Sequence, residues 1–335
     1  MRQVAVPGRW IWRLSGLASF AALAIGLGAL IVNAGESSGS DNVSVVPTRM
    51  VTITQPITSL SVESYGALVY VTAGDVRGAE VTEAISFGKA DLGPPAVTAS
   101  VSHGHLTLAA PDCTQSDCSV GFTVTVPSDV AVSAESDGGP VTVAGVAAAN
   151  VDSGGGAVHA TGISGQLTVN TEGGPVIVSD VAAANLDSGG GLVGATDVHG
   201  PLTVSTEGSP LTLDGLSGPL DADTGGAPLL ARNVAAVTAT VSAQGGNVSM
   251  AFTKAPQMVS VDTGGGAARL RFAAAPESVT VNTEGGLALL TVPAGLYAVN
   301  ADSMDGPKFV TVATNPTAHR SITVTTGGGP LRIER

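Results

Sequence analysis

A short unit with two adjacent glycines recurs from Ala134 to the end of the chain, as in SDGGPVTV, TEGGPVIV and DTGGGAAR. Residues 137–171 and 172–206 are identical at 23 of 35 positions, which indicates internal duplication rather than biased composition. The first of the paired positions recurs at similar intervals, at Gly138, Gly154, Gly173, Gly189, Gly208, Gly225, Gly245, Gly264, Gly285, Asp305 and Gly327.

A repeat of about 20 residues without helical patterning is typical of a β-solenoid, because each coil buries its apolar side chains against its neighbours. We therefore expect an all-β fold: a single-stranded parallel β-solenoid (β-helix) of roughly 20-residue coils, preceded by one N-terminal transmembrane helix. Each glycine pair is predicted to be a corner that needs positive φ or close backbone approach, so that a valine at Gly173 would clash. The predicted structural corners are Gly138, Gly139, Gly154, Gly155, Gly173, Gly174, Gly189, Gly190, Gly225, Gly226, Gly245, Gly246, Gly264, Gly265, Gly285, Gly286, Gly327 and Gly328.

The composition favours a narrow core of small side chains. Aromatic residues make up 3% and charged residues 12% of the 335 residues, whereas 45 residues are glycine. The formal net charge is -13, and subtracting the three arginines Arg2, Arg9 and Arg13 leaves -16 for the rest of the chain. Because this charge opposes binding to nucleic acid and to anionic lipid, we predict no nucleic-acid partner and no basic patch.

The N-terminal segment has the pattern of a membrane signal anchor. Leu14 to Val32 is an uncharged run of 19 residues, long enough as a helix to cross the hydrocarbon core of a bilayer. Three arginines precede this run and acidic residues follow it, so the positive-inside rule places the N-terminus in the cytoplasm. A cleaved signal peptide is the alternative, because Val32-Asn33-Ala34 resembles a cleavage site. Both interpretations place the rest of the chain outside the cytoplasm.

These signals predict four segments in a single-pass membrane protein: a cytoplasmic segment (1–13), a transmembrane signal anchor (14–34), a flexible linker (35–47) and an exported domain (48–335). Within the domain, 48–132 alternates as short strands do and is predicted to be an irregular N-terminal cap, followed by the glycine-corner repeats of 133–335. The C-terminal LRIER is expected to blunt an exposed sheet edge with its charged side chains.

The two cysteines are predicted to form a disulfide. Cys113 and Cys118 lie in PDCTQSDCSV between two strand-like runs, and an exported pair at this spacing favours a bridge across a hairpin loop. The alternative is a zinc site that adds His103 and His105. An extended strand after His105 places that histidine well over 15 Å from the loop, at about 3.3 Å per residue, which argues against zinc.

Two further motifs resemble ligand sites. Gly189, Gly191 and Gly194 match the dinucleotide fingerprint G-x-G-x-x-G, but Gly200 and Pro201 follow where a helix would have to run. The acids near the corners suggest calcium, yet they precede the glycines by one or two residues, as solvated corners do. These acids are Asp137, Asp152, Glu172, Asp187, Glu207, Asp223, Asp262 and Glu284. We predict no cofactor, no metal site and no enzymatic activity.

Three features together resemble the bacterial putative-adhesin domain family, a domain of unknown function. They are the T-x-G-G and D-T-G-G corners, the strand pair around the cysteine loop (LTLAAPDCTQSDCSVGFTVTVP), and the tail from VPAGLYAVNADSMDGPKFVTV to TTGGGPLRI. The resemblance covers about residues 50–335, and Asp305-Gly306 departs from the paired glycine. It implies a β-solenoid, often behind one membrane span, without established catalytic residues.

Two functions follow from this sequence. The first is a non-catalytic, membrane-anchored extracytoplasmic β-solenoid that acts as a surface interaction or adhesin-like protein, with an unknown extracytoplasmic macromolecule as its partner. The second is an accessory or sensory component of bacterial cell-envelope stress signalling, since the resemblance extends to proteins that accompany such genes. That function requires a membrane-protein partner, because the short cytoplasmic segment cannot hold a signalling domain.

Overall fold

A computed structural model describes residues 43–45, 47–88, 94–110 and 118–335. The predicted cytoplasmic segment, transmembrane anchor and most of the linker lie outside these residues, as does Cys113. All regular elements in the described ranges are β-strands, and no helix there is long and apolar enough to cross a membrane.

The strands follow one another closely. They are β1 (Val43–Val45), β2 (Arg49–Ile53), β3 (Ser59–Tyr65), β4 (Val69–Ala73), β5 (Ala79–Gly88), β6 (Thr98–Ser102), β7 (His105–Ala109), β8 (Ser119–Val126), β9 (Ala131–Asp137), β10 (Val141–Ala144), β11 (Ala148–Ser153), β12 (Val158–Thr171), β13 (Val176–Ser188), β14 (Val193–Val198), β15 (Leu202–Thr206), β16 (Leu211–Leu216), β17 (Leu220–Asp223), β18 (Leu229–Val234), β19 (Thr238–Ser242), β20 (Val248–Phe252), β21 (Met258–Asp262), β22 (Ala268–Phe272), β23 (Ser278–Asn282), β24 (Ala288–Thr291), β25 (Leu296–Asp302), β26 (Lys308–Val310), β27 (Ala313–Thr314), β28 (Ser321–Thr325) and β29 (Leu331–Glu334).

The strands stack in layers of one leading and one trailing strand, and in every layer except β7/β8 a described corner joins the two strands. In stack order the leading strands are β7, β3, β9, β11, the second halves of β12 and β13, β15, β17, β19, β21, β23, β28 and β25. The trailing strands are β8, β4, β10, the first halves of β12 and β13, β14, β16, β18, β20, β22, β24, β29 and β26. Both ladders are parallel, so the predicted parallel β-solenoid is confirmed.

The register of the ladders fixes the length of each coil. Val141 pairs with Val158, and Val158 pairs with Val176. These three residues therefore occupy equivalent positions in successive coils. The coils are longer further along the chain, where Val248 pairs with Ala268. The intervals between glycine pairs alternate between shorter and longer in the duplicated blocks, because the first glycine lies one residue earlier in every second corner.

The core is a narrow space between the inner faces of the two ladders. Alternate side chains along each strand point inward and stack in columns, as Val151, Val169 and Leu186 do. Because the side-chain period of a strand is two, every inward position must be apolar or small. Where the coils are longer, the core contains Phe252 and Phe272, whose rings stack with centroids 4.9 Å apart.

At the N-terminal end, the order of the layers differs from the order of the chain. The layer β3/β4 lies between the later layer β7/β8 and the layer β9/β10. Antiparallel strands complete this end: β6 pairs with β7, β5 pairs with β8, and β1 and β2 pair with β5. They occupy the hydrogen-bonding edge that an open parallel stack would otherwise expose.

The C-terminal end shows the same inversion. The last two strands, β28 and β29, are inserted between the layer β23/β24 and the layer β25/β26, which precedes them in the chain. The expectation that LRIER blunts an exposed edge is therefore wrong, because β29 is paired on both sides. The layer with the divergent Asp305-Gly306 corner ends the stack instead.

Candidate interaction surface

The corners are built from four residues: a serine or threonine, which alanine replaces at Ala243, then a variable residue and two small residues. The hydroxyl of the first residue donates to the carbonyl oxygen of the fourth, at 2.5 to 3.1 Å, in the corners that begin at Ser64, Ser136, Ser153, Ser188, Thr206, Thr224, Thr263, Thr283, Ser303 and Thr326. These side chains are buried. The acids at the corners are exposed, whereas the serines and threonines form an internal ladder that satisfies buried carbonyl groups.

The fourth corner residue packs against the backbone of a neighbouring layer. A Cβ at Gly156 would overlap the carbonyl oxygen of Gly139, and a Cβ at Gly174 would overlap that of Gly156. The expectation that a valine at Gly173 would clash is wrong, because Gly173 has open space around its Cβ position and its φ is not left-handed. The close approach that requires glycine is one residue later.

The predicted corner glycines therefore occupy three different positions. Gly154, Gly189, Gly225, Gly264 and Gly327 are second residues of their corners. Gly138, Gly155, Gly173, Gly190, Gly226, Gly245, Gly265, Gly285 and Gly328 are third residues. Gly139, Gly174, Gly246 and Gly286 are fourth residues, a position that the sequence analysis missed at Gly156, Gly191, Gly266, Gly306 and Gly329. At four of the five missed positions the available signal was the third glycine of a GGG run.

The outward side chains of the leading strands form a polar face of two columns. The first column contains Ser133, Asn150, Thr168, Asn185, Thr203, Asp221, Thr240, Ser260, Thr280, Thr323 and Asn300. The second contains Glu135, Asp152, Asn170, Asp187, Ser205, Asp223, Ser242, Asp262, Asn282, Thr325 and Asp302. The polar face thus carries acids and neutral hydrogen-bonding groups without a basic residue.

The acids along this face are staggered. Between β11 and β24, a layer with Asp in the second column has glycine as its variable corner residue, as in Asp152 and Gly154. A layer with a neutral residue has Glu or Gln there, as in Asn170 and Glu172. Like charges directly opposite each other destabilise a sheet. The stagger keeps aspartates in alternate layers, about 9.6 Å apart. The pattern therefore repeats every two layers, as does the duplicated block of residues 137–171.

Several staggered acids also organise the backbone of their own corner. Asp223 Oδ1 accepts a hydrogen bond from the Gly225 amide at 3.0 Å and another from Gln244 Nε2 at 3.2 Å. Asp262 Oδ1 accepts from the Gly264 amide at 3.1 Å. Within the described ranges, no three His, Cys, Asp or Glu side chains come close enough together to hold a metal ion.

The outward side chains of the trailing strands from β18 to β26 form a second surface, the arginine face. Its members are Leu230, Arg232, Ser249, Ala251, Arg269, Arg271, Leu289, Thr291, Arg332, Glu334 and Phe309. Four arginines and one acid make this face positive, so the prediction that no basic patch exists is wrong. Net charge did not reveal it, because the acids are concentrated on the polar face and at the corners.

A cleft of about 620 Å³ opens near the C-terminal end of the stack. It is lined by Glu277, Leu296, Asn315, Thr317, Ala318, His319 and Arg320. The phenol of the buried Tyr297 donates a hydrogen bond to the carbonyl oxygen of Pro293 at 2.9 Å. Burial raises the pKa of Tyr297, and the charge of Arg320 partly offsets that effect.

The other predicted site residues lie apart from these surfaces. His105 Nδ1 is 2.8 Å from Ser59 Oγ, and His103 lies at the tip of the β6–β7 hairpin with positive φ. Cys118 is disulfide-bonded. Its predicted partner Cys113 is outside the described residues, so the pairing stays a prediction. A strand, β14, begins at Val193, where the dinucleotide fingerprint requires a helix.

No protein-family model matches the chain, and no curated protein matches it. Among solved structures, it is similar to a putative cell adhesion protein from Clostridium sporogenes, at 9% identity over 86% of this chain and 98% of that chain, with a TM-score of 0.22. A putative adhesin from Bacteroides fragilis has 13% identity over 87% and 97% of the two chains and a TM-score of 0.28. A putative adhesin from Parabacteroides merdae has 11% identity over 89% and 98%, with a TM-score of 0.25. These TM-scores are too low to assign a family or a function.

Proposed function

We propose that this chain is a membrane-anchored, extracytoplasmic β-solenoid that acts without catalysis as a surface interaction protein of the adhesin type. The observation that carries the proposal is the pair of regular outward arrays, the polar face and the arginine face. Each repeats its side chains at the layer spacing of about 4.8 Å along the stack. Repeated weak contacts along an extended ligand add up to firm attachment.

The apolar run Leu14 to Val32 supports the anchoring part of the proposal. A linker of small and polar residues follows this run, and an exported stack of layers with two regular outward faces suits contact with a polymer or with another cell surface.

The test compares cells that produce the full chain with cells that produce a variant whose layers cannot stack, Gly156→Val with Gly174→Val. We expect protease added to intact cells to cleave the chain, and we expect only the unmodified chain to increase adherence to immobilised wall or host-surface polymers. Immunoblots of both strains control for the amount of protein.

Equal adherence of the two strains would contradict the proposal. A change in transcription of envelope-stress genes on deletion of the chain, with adherence unaffected, would instead favour the signalling function. Capture of a sensor kinase or an anti-sigma factor after cross-linking in intact membranes would identify the membrane partner that signalling requires.

A further inference from the structure

We propose that the arginine face binds a linear anionic glycan in which acidic and neutral sugars alternate. This inference rests on the proposed surface-interaction function and names its ligand class. It is carried by the segregation of charge between the two faces, by the order of side chains along one column, and by the availability of the arginines.

Charge in the C-terminal half of the solenoid is separated by face. In the layers from β18 to β26, the arginine face has Arg232, Arg269, Arg271 and Arg332 against the acid Glu334, and in the layer before them Asp214 lies across from Arg232. The polar face of the same molecule carries aspartates and no basic residue. A surface with this local charge concentrates anions although the whole chain is negative, because the local potential decides which ligand approaches.

One column of the arginine face alternates cations with apolar side chains. Successive layers present Arg269, Leu289, Arg332 and Phe309 in direct register. The arginines are two layers apart, about 9.6 Å. A pyranose ring along a glycan chain has about the length of one layer, so acidic sugars would face the arginines and neutral sugars would lie on Leu289 and Phe309.

The neighbouring column adds two further cations. Arg271 in β22 pairs with Ala251 in β20. Arg232 lies two layers earlier, in β18, where the register with β20 shifts between Ala231 and Val234. Arg269 and Arg271 are two residues apart on one strand and point to the same side. The four arginines therefore occupy outward positions of three strands along the stack, β18, β22 and β29.

The guanidinium groups are available to a ligand. Within the described part of the chain, Arg232, Arg269 and Arg271 form no ion pair, and Arg332 pairs with Glu334 through Nε at 2.6 Å. Asp214, which is directly across from Arg232, instead accepts a hydrogen bond from Asn233 at 2.6 Å. Arginine binds carboxylates bidentately, so carboxylate-bearing sugars suit these groups.

The apolar members of the column favour a glycan over an anionic lipid surface. Phe309 is 60% exposed in the terminal layer, directly across from Arg332. A single exposed ring beside a cation provides a platform for the apolar face of a sugar. Membrane binding would require a larger apolar surface facing the bilayer, whereas the apolar side chains of this column, Leu289 and Phe309, are single and alternate with arginines.

The test measures binding of the full chain, purified in detergent, to an octasaccharide of alternating glucuronate and N-acetylglucosamine by isothermal titration calorimetry. The variant Arg269→Ser with Arg332→Ser is compared with the control Arg49→Ser with Arg77→Ser, which changes the net charge equally at the other end of the stack. We expect the first variant to bind at least tenfold more weakly and the control to bind as the unmodified chain does. The methyl ester of the octasaccharide should not bind.

Three results would overturn the inference: no binding of the octasaccharide, equal losses in both variants, or binding of the ester. If the chain does not bind the glycan but co-sediments with anionic vesicles, the face is assigned to a lipid surface. If it does not bind the glycan but forms an oligomer that Arg269→Ser with Arg332→Ser abolishes, the face is assigned to a second copy of the chain. Retained cell adherence together with any of these results would overturn the glycan site but leave the surface-interaction function standing.

Discussion

The carbonyl oxygen of Gly156 lies so close to the α-carbon of Gly174 in the next layer that a Cβ on Gly174 would overlap it. The same approach recurs between the fourth corner residues of successive layers, for example between Gly266 and Gly286. At these corners the parallel ladders bring the two backbones so close that a side chain would overlap the carbonyl group of the neighbouring layer. Three corners have a small side chain at the fourth position instead, at Ala67, Ser209 and Ala227.

The substitution Gly174→Ala should therefore lower the free energy of unfolding by about 1–3 kcal/mol, the usual cost of overpacking a tightly packed site. The matched control Gly173→Ala adds the same methyl group one residue earlier, where the space is open, and should change it by less than about 0.5 kcal/mol. Urea denaturation followed by circular dichroism measures both. Equal effects of the two substitutions would refute the assignment of the close-contact position.

The internal hydroxyl ladder should contribute to stability at each corner. Ser153→Ala removes the donor to the Gly156 carbonyl and should cost about 1 kcal/mol, since a buried acceptor loses its partner. The reverse change is available at Ala243, which occupies the ladder position without a hydroxyl. Ala243→Ser should stabilise the protein by about 0.5–1 kcal/mol. A loss of stability in Ala243→Ser would show that this corner differs from the others.

The staggered acids predict a penalty for placing a carboxylate in the wrong layer. Asn170 lies directly between Asp152 and Asp187 in the second polar column. Asn170→Asp should therefore destabilise the protein by about 0.5–1 kcal/mol at low salt, and high salt should remove most of that loss. The control Thr168→Asp adds the same charge between two asparagines, Asn150 and Asn185, and should cost less. Thermal melts at two salt concentrations compare them.

The raised pKa of Tyr297 predicts a dependence of stability on alkaline pH. The phenol titrates near 10.0 in the unfolded chain and higher in the folded protein, where burial disfavours the phenolate. Between the unfolded-state and folded-state pKa of Tyr297, the native state holds one more proton than the unfolded state. The contribution of the protonated phenol to stability is therefore complete below about pH 10 and is lost as the pH rises through the folded-state pKa. Tyr297→Phe should reduce the alkaline slope of the unfolding free energy. An unchanged slope in the variant would contradict the burial effect.

The repeat was predictable from the sequence because corners with close backbone approach or positive φ favour glycine. The internal duplication shows that the recurring glycines do not arise from biased composition. The parallel stack and the small-residue core follow from that repeat. Which glycine makes the close contact was not predictable, because Gly154, Gly155 and Gly156 look alike in a sequence and differ only in their position relative to Ser153. The buried hydroxyl of that serine defines the corner.

The arrangement at the two ends and the arginine face depend on information that no local pattern contains. β28 pairs with both β23 and β25, and the segment between β26 and β28 contains β27, which pairs with the start of β25. Arg232 and Arg271 are far apart in the chain, and only the register of β18, β20 and β22 brings them onto one face. Net charge and spacing along the chain therefore missed the basic surface.

Distances between spin labels on one outward column test the stack and its inverted end most directly. Cysteines introduced at Thr142 and, in turn, at Leu289, Arg332 or Phe309 carry nitroxides that lie eight, nine or ten layers apart by the observed register. Pulsed electron paramagnetic resonance should give distances of about 38, 43 and 48 Å, in that order. A label at Phe309 that lies closer to Thr142 than the label at Arg332 does, or distances that do not increase by one layer at each step, would contradict the solenoid on which every surface assigned to this protein depends.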